Sequence, residues 1–197
     1  MSKTPIRCQW CSDDPIYQQY HDQQWGVPCY DALELFEMLI LEGAQAGLSW
    51  ITVLKKREGY RAAFCHFDPV KIAQFTEQDV ERLRQNLEII RNKLKIESAI
   101  KAARAYLAMQ EAGEDWVEYL WSFVGGQPIQ NHWQSLNEVP VTTPESDAMS
   151  KALKKQGFNF VGSTICYAFM QATGMVNDHT TDCFRYRSCA ALGGKPR

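Results

Sequence analysis

Apolar and polar positions alternate at helical spacing along most of the chain. The clearest case is LELFEMLILEGAQAGLSW (33–50), where Leu35, Leu39, Glu42 and Ala46 point the same way at roughly 100° per residue. Leu35, Leu39 and Ala46 suit a buried stripe; Glu42 does not. Asp31 supplies an N-cap for this helix, which is expected to run to about Gly47. Upstream, Asp14-Pro15 reads as an N-cap and first-turn proline opening a short helix over 15–25. Downstream, the pattern predicts a helix over 48–58 with an apolar stripe of Leu48, Ile51, Val53 and Leu54. Further helices are expected over 69–75, 77–83, 95–112 with Gly113 as terminator, 115–124, 144–155 and 163–176. Residues 125–146 hold three of the eight prolines and read as a long loop. No alternating run is bounded by hairpin turns, and no βαβ rhythm is visible. The expected class is all-α, with room for one or two short strands.

The 197 residues suffice for one domain, or for two small lobes sharing a core. No apolar run approaches the roughly 20 residues of a membrane span. MSKTPIRCQW at the N-terminus lacks the apolar stretch of a secretory signal, so a cytoplasmic protein is expected. The net charge of −2 argues on its face against nucleic acid, but the average hides a polarity. From Ser150 onward, Lys151, Lys154, Lys155, Arg185, Arg187, Lys195 and Arg197 outweigh Asp178 and Asp182, a balance of +5 that leaves −7 on residues 1–149. Two readings fit: a local basic surface for a polyanion, or ordinary solvated lysines.

Seven cysteines, an odd number with no signal peptide, argue against a disulfide framework. They leave metal ligation, catalysis or plain core thiols. His179 and Cys183 have the H-x₃-C spacing that puts both on one face of a turn, and Cys8 and His21 lie near the other end. Two sulfurs and two imidazoles match a closed tetrahedral zinc set; buried thiols with a solvated histidine are the alternative. CQWC (8–11) also has the spacing of a redox pair, though such pairs usually open a helix after a strand, and none is visible.

Tyr17, Tyr20 and His21 share one helix face at i, i+3 and i+4. Trp10 follows Cys8, and Trp50 lies eight residues past Glu42. These rings could converge near Glu42 as ordinary core, or as a stacking surface for a flat ligand. A helical hairpin is expected over 150–176, with Gly157 as a helix C′ residue and Gly162-Ser163 presenting a helix N-terminus to anions beside Lys151, Lys154 and Lys155. Such a hairpin either holds a DNA phosphate on backbone amides or only packs.

This hairpin resembles the helix-hairpin-helix motif of base-excision DNA glycosylases, with VNDH (176–179) in place of their Val-Asp-x-His-like tetrad. Asn177 stands where most of that superfamily carries a catalytic aspartate. The branch without that aspartate is the DNA-3-methyladenine glycosylase I family. The match to it extends over YHDQQWGVP (20–28), ELFEMLILEGAQAGLSWITVLKKRE (34–58), WSFV (121–124), residues 151–179 and Cys183. It covers the chain from Cys8 to about Cys183, leaving a poorly matched tail over about 184–197.

The resemblance implies a single helix-hairpin-helix glycosylase domain over 1–197, with two helical lobes around a DNA cleft. The helix-hairpin-helix segment would span about 150–177, and a structural zinc on Cys8, His21, His179 and Cys183 would join the termini. It further implies that Glu42 accepts hydrogen bonds from the adenine edge, that Tyr20 and Tyr17 contact the base, that Trp50 stacks on it and that Trp10 closes the pocket. Gly47 and Leu48 would fill the gap left by the base, and Gly157, Gly162 and Ser163 would meet DNA. The implied activity is hydrolysis of 3-methyladenine from damaged double-stranded DNA by a monomer, with Glu42 ionised when the cationic base is bound. No lysine occupies an obvious nucleophile position, so no strand cleavage is expected. One departure is Glu88, where the family usually has glycine.

Competing readings are a zinc-clipped helical module that binds DNA or protein without chemistry, and a thiol redox protein using Cys8 and Cys11.

Overall fold

The computed structural model describes residues 5–193. Eleven α-helices are found among them: α1 Pro15–Gln23, α2 Ala32–Gln45, α3 Trp50–Leu54, α4 Arg57–Ala63, α5 Pro69–Ala73, α6 Glu77–Arg84, α7 Lys93–Glu111, α8 Trp116–Ser122, α9 Pro144–Lys155, α10 Ser163–Ala172 and α11 Tyr186–Ala191. Their starts follow from side chains that satisfy free first-turn N–H groups. Asp14 accepts from the Ile16 N–H at 3.0 Å, Asp31 from Glu34 at 2.8 Å, Asn92 from Lys95 at 3.1 Å and Asp115 from Glu118 at 2.8 Å. Thr143 and Ser146 cap one another reciprocally ahead of α9, whose first residue is Pro144.

The second helix is buried nearly all round, from Leu35 to Ala44, which makes it the axis of the molecule. It packs against α10 on one side and α7 and α8 on others; α10 in turn packs against α9, and α7 against α5 and α6. Two acids, Glu37 and Glu42, are carried inside with it.

Four features differ from the sequence reading. The helix expected over 48–58 breaks into α3 and α4, and the second piece continues to Ala63. The break redirects the chain so that Val53 and Leu54 are buried from one piece and Arg57, Tyr60 and Ala63 from the other. Leu48, assigned to the apolar stripe, is 39% exposed in the turn before α3. The helix expected over 163–176 stops at Ala172, and Val176-Asn177 (β2) instead pairs in parallel with Ile129-Gln130 (β1). A two-residue strand has no period to read, and its partner lies far away in sequence, so local pattern carries no sign of it. Within the tail, Tyr186–Ala191 form α11, whose Cys189 is buried.

Glu88 needs no glycine. The non-glycine residues with positive φ among those described are Cys65, His66, Phe67 and Phe160. The constraint falls on its neighbour in space: a Cβ on Gly59 would lie 2.3 Å from the Glu88 carbonyl oxygen.

Candidate active site and metal cluster

The sequence brings five residues to one cavity of about 250 Å³: Trp10, Tyr17, Tyr20, Glu42 and Trp50 all line it. The first helix contributes the two tyrosines from one face, α2 contributes Glu42, and Trp50 opens α3. Ring centroids lie 5.0 Å apart for Trp10–Tyr17, 6.4 Å for Trp10–Tyr20 and 5.4 Å for Tyr20–Trp50, with no pair stacked face to face. The walls are therefore flat faces set at angles, which suits one planar guest. The indole N–H groups of Trp10 and Trp50 are buried without a hydrogen-bond acceptor among the described residues.

Glu42 is 4% exposed, and no donor among the described residues reaches its carboxyl group. Burial alone pushes its pKa up to about 8. Surrounded by protein groups alone, its neutral form is favoured. Burial also raises the Tyr20 phenol well above its ordinary range.

Sequence reasoning missed seven lining residues: Trp25, Gln45, Leu136, Val139, Ala168, Gln171 and Asp178. Ala168 and Gln171 sit one turn apart on α10, a signal that spacing could have supplied. Asp178 lay in plain view inside the VNDH tetrad. Leu136 and Val139 come from the 125–146 segment, which has no periodicity to aim them.

Cys8, His21, His179 and Cys183 are all buried, and their donor atoms lie within 4.8 Å of one another. Cys8 Sγ is 3.4 Å from His179 Nδ1, and Cys183 Sγ is 3.4 Å from His179 Nδ1 and 3.5 Å from His21 Nε2. The outer ring nitrogens are engaged: His21 Nδ1 donates to Asp22 Oδ1 at 2.8 Å, and His179 Nε2 donates to the Trp25 carbonyl at 3.0 Å. Those bonds fix the tautomers that turn lone pairs inward, as ligating histidines require. Asp22 is held in turn by a two-pronged pair from Arg7 at 2.8 and 2.7 Å. The Cys8 thiol, followed by the two imidazoles, holds the Cys183 thiol well below its ordinary range. This cluster could bind one metal ion, and it ties the N-terminal segment to the C-terminal one.

Cys11 stays outside the cluster, with its thiol 3.6 Å from the Ser12 carbonyl, and Cys8 faces the histidines instead. The seven cysteines are free. Cys8 is thus engaged with the histidines and Cys11 with its own turn.

Near the cavity, Gln45 to Leu48 form a tight turn, with Ala46 at φ −47°, ψ 118° and Gly47 at φ 77°. That is a type II turn, which needs glycine at its third position. Lys95 from α7 donates to the Ala44 and Ala46 carbonyls at 2.7 and 2.6 Å, closing the end of α2. Gly157, at φ 95°, ends α9; Gly162 caps α10, and Ser163 is its first residue. The hairpin between them packs on α2, where a Cβ on Gly43 would lie 3.3 Å from Phe160. The turn and the hairpin thus adjoin α2, and Lys151, Lys154 and Lys155 are exposed beside them.

A family model described as methyladenine glycosylase matches residues 10–186. DNA-3-methyladenine glycosylase 1 of Escherichia coli (strain K12) is 58% identical over 190 residues, covering 96% of this chain and 99% of that protein. A crystal structure of 3-methyladenine DNA glycosylase I superposes with a TM-score of 0.90 at 60% identity, covering 91% of this chain and 98% of the other. A structure of 3-methyladenine DNA glycosylase I from Staphylococcus aureus, described as giving the structural basis of 3-methyladenine recognition, superposes with a TM-score of 0.88 at 36% identity over 97% of this chain and 98% of that one. A buried acid among angled rings, on a helical scaffold shared with these proteins, places the chain in the methyladenine glycosylase family.

Proposed function

We propose that this protein is a base-excision repair enzyme that hydrolyses the N-glycosidic bond of 3-methyladenine in alkylated double-stranded DNA, releasing the base and leaving an abasic site without cutting the strand. The observation that carries this reading is Glu42: a carboxyl sealed among Tyr17, Tyr20, Trp10 and Trp50 with no protein hydrogen bond of its own. Burying an unpartnered acid is costly, so the site is built for a guest that brings donors and positive charge. A 3-methyladenine nucleotide carries both. Its charge draws the proton off Glu42, and a neutral adenine lacks that term. The adduct is already a good leaving group, so the base needs no further protonation. Tyr20 and Trp50 hold the ring by contact, Tyr17 and Trp10 close over it, and a base extruded from the duplex is read in this way by stacking and edge contacts.

Leu48 is exposed on its Gly47 turn; in this reading it would fill the space the base leaves, as apolar wedges do. The helix-hairpin-helix segment over about 150–177 would set the N-terminus of α10, at Gly162-Ser163, against a backbone phosphate, with Gly157 shaping the hairpin. In this reading the chain is one domain, its two helical lobes flanking a cleft; residues 1–4 and 194–197, with Lys195 and Arg197, lie outside the described residues. The protein acts as a cytoplasmic monomer; no helix among the described residues is long and apolar enough to cross a membrane.

Zinc fits the cluster. Tetrahedral bonds of zinc to sulfur and nitrogen put neighbouring S and N donors about 3.6 Å apart, close to the 3.4–3.5 Å separations present. Cys8, His21, His179 and Cys183 would occupy all four positions, leaving none for substrate. Bound there, zinc supplies a cross-link between the ends of the chain and takes no part in the hydrolysis.

The test is incubation with methylated duplex DNA and chromatography of the released bases. Release of 3-methyladenine with intact strands is expected; no release, or strand scission without added base or heat, refutes the reading.

A further inference from the structure

Asp178 is the second acid of the cavity, and it is built unlike Glu42. Its carboxylate is 2% exposed and accepts four hydrogen bonds. Asn131 Nδ2 and Trp133 Nε1 donate to Oδ1 at 2.7 and 2.8 Å, and the Tyr167 hydroxyl and Gln171 Nε2 donate to Oδ2 at 2.6 and 2.9 Å. An indole N–H can only donate, so Oδ1 must accept, while the Tyr167 hydroxyl and the Gln171 amide donate to Oδ2. Burial, and then the charge of Asp178, push the Tyr167 phenol well above its ordinary range and keep it a donor. A carboxylate so engaged is poorly placed to attack carbon. What it offers is a fixed negative charge on the cavity wall. Its neighbour Asn177 turns elsewhere, donating to Gln130 Oε1 at 2.9 Å and to the Tyr186 carbonyl at 3.1 Å.

Such a charge would assist the reaction. As the C1′–N9 bond breaks, its electron pair passes into the cationic base, which leaves neutral, and the positive charge moves to C1′ and the ring oxygen of the sugar. Water then adds to C1′ and yields its proton to solvent. An anion that only holds the base loses its partner along this path, so Glu42 alone favours the bound substrate over the transition state. A second anion on the cavity wall would stabilise the charge where it appears. We propose that Asp178, resting on the function proposed above, is that anion: a preorganised carboxylate that stabilises the sugar cation, displaced by one residue from the position where Asn177 stands.

Asp178→Asn isolates the charge. The Tyr167 hydroxyl and the Gln171 amide can each turn to accept from the new NH₂ group, so the network can re-form. Three quantities are measured: single-turnover release of 3-methyladenine from methylated duplex DNA, affinity for free 3-methyladenine, and metal per chain. The release rate should fall about 100-fold while base affinity stays within about twofold and metal content matches wild type. A rate within about threefold of wild type, or a fall matched by equal loss of base affinity or of metal, overturns the proposal. Trp133→Phe removes one hydrogen bond and keeps the charge, so its rate should stay within about tenfold of wild type; a loss as deep as that of Asp178→Asn shows that bracing, not charge, is what Asp178 supplies. The wild-type rate by itself judges the proposed function, and the variant-to-wild-type ratio judges Asp178.

Discussion

His179 Nε2 donates to the Trp25 carbonyl at 3.0 Å, and the Trp25 ring meets the His179 ring edge-on with centroids 4.7 Å apart. Trp25 also lines the cavity. The Cys–His cluster and the ring-lined cavity therefore share a wall, and Trp10 extends it, its ring centroid 5.2 Å from that of His21.

Removing metal should consequently loosen the pocket as well as the fold. Chelation under reducing conditions is expected to lower the melting temperature and weaken 3-methyladenine binding together, with both recovered by stoichiometric zinc. Calorimetry and base titration on the same sample check this. Unchanged base affinity in metal-free, folded protein would uncouple the two sites.

Glu42→Gln should fold and lose most affinity for 3-methyladenine, by about 100-fold, and with it base release at limiting enzyme. It also carries a pH signature. The Glu42 pKa is raised by burial from 4.5 to about 8, so folded protein keeps a proton that the unfolded chain has released across that window. Stability conferred by that proton is fully present below pH 4.5 and is lost as pH rises through 8, at up to about 1.4 kcal/mol per pH unit. Glutamine has no such dependence. The melting temperature of Glu42→Gln relative to wild type should climb between pH 5 and pH 8; a gap that stays flat would falsify the buried, unpartnered state of Glu42.

Arg57 and Glu37 form a buried ion pair joining α4 to α2, with Gln24 accepting from Arg57 and Arg61 reinforcing Glu37 at 2.9 Å. Arg57→Met leaves a buried carboxylate with one partner fewer and should cost about 3 kcal/mol. The double change with Glu37→Leu should recover much of that loss. Urea denaturation decides it, and equal instability in both variants would show that the pair is not the source.

Lys95 closes the end of α2 beneath the Gly47 turn. Lys95→Met frees two carbonyls and should cost about 1–2 kcal/mol. Leu48→Ala, by contrast, removes an exposed side chain and should leave stability nearly unchanged while weakening base extrusion, read as fluorescence of 2-aminopurine placed beside the lesion. A Leu48→Ala protein that extrudes the base as wild type does would remove the wedge assignment.

The sequence alone determined the helices whose caps and periodicity are local: Asp14-Pro15, Asp31, Asp115 and Thr143-Pro144 each begin an element where the chain reading placed it. It also singled out Glu42 as the misfit on an apolar stripe, because one acid among leucines is visible without coordinates. Five pocket residues and four cluster residues were legible through a specific motif pattern, and the structure gathers each set at one place. Tertiary structure decided the rest. The β1–β2 pair, the break between α3 and α4, and the placing of Leu136 and Val139 depend on contacts between distant segments, which no local period encodes. The same holds for the two acids. That Glu42 lacks a donor while Asp178 has four is a property of what surrounds each carboxyl, and desolvation and hydrogen bonding act through space, not along the chain.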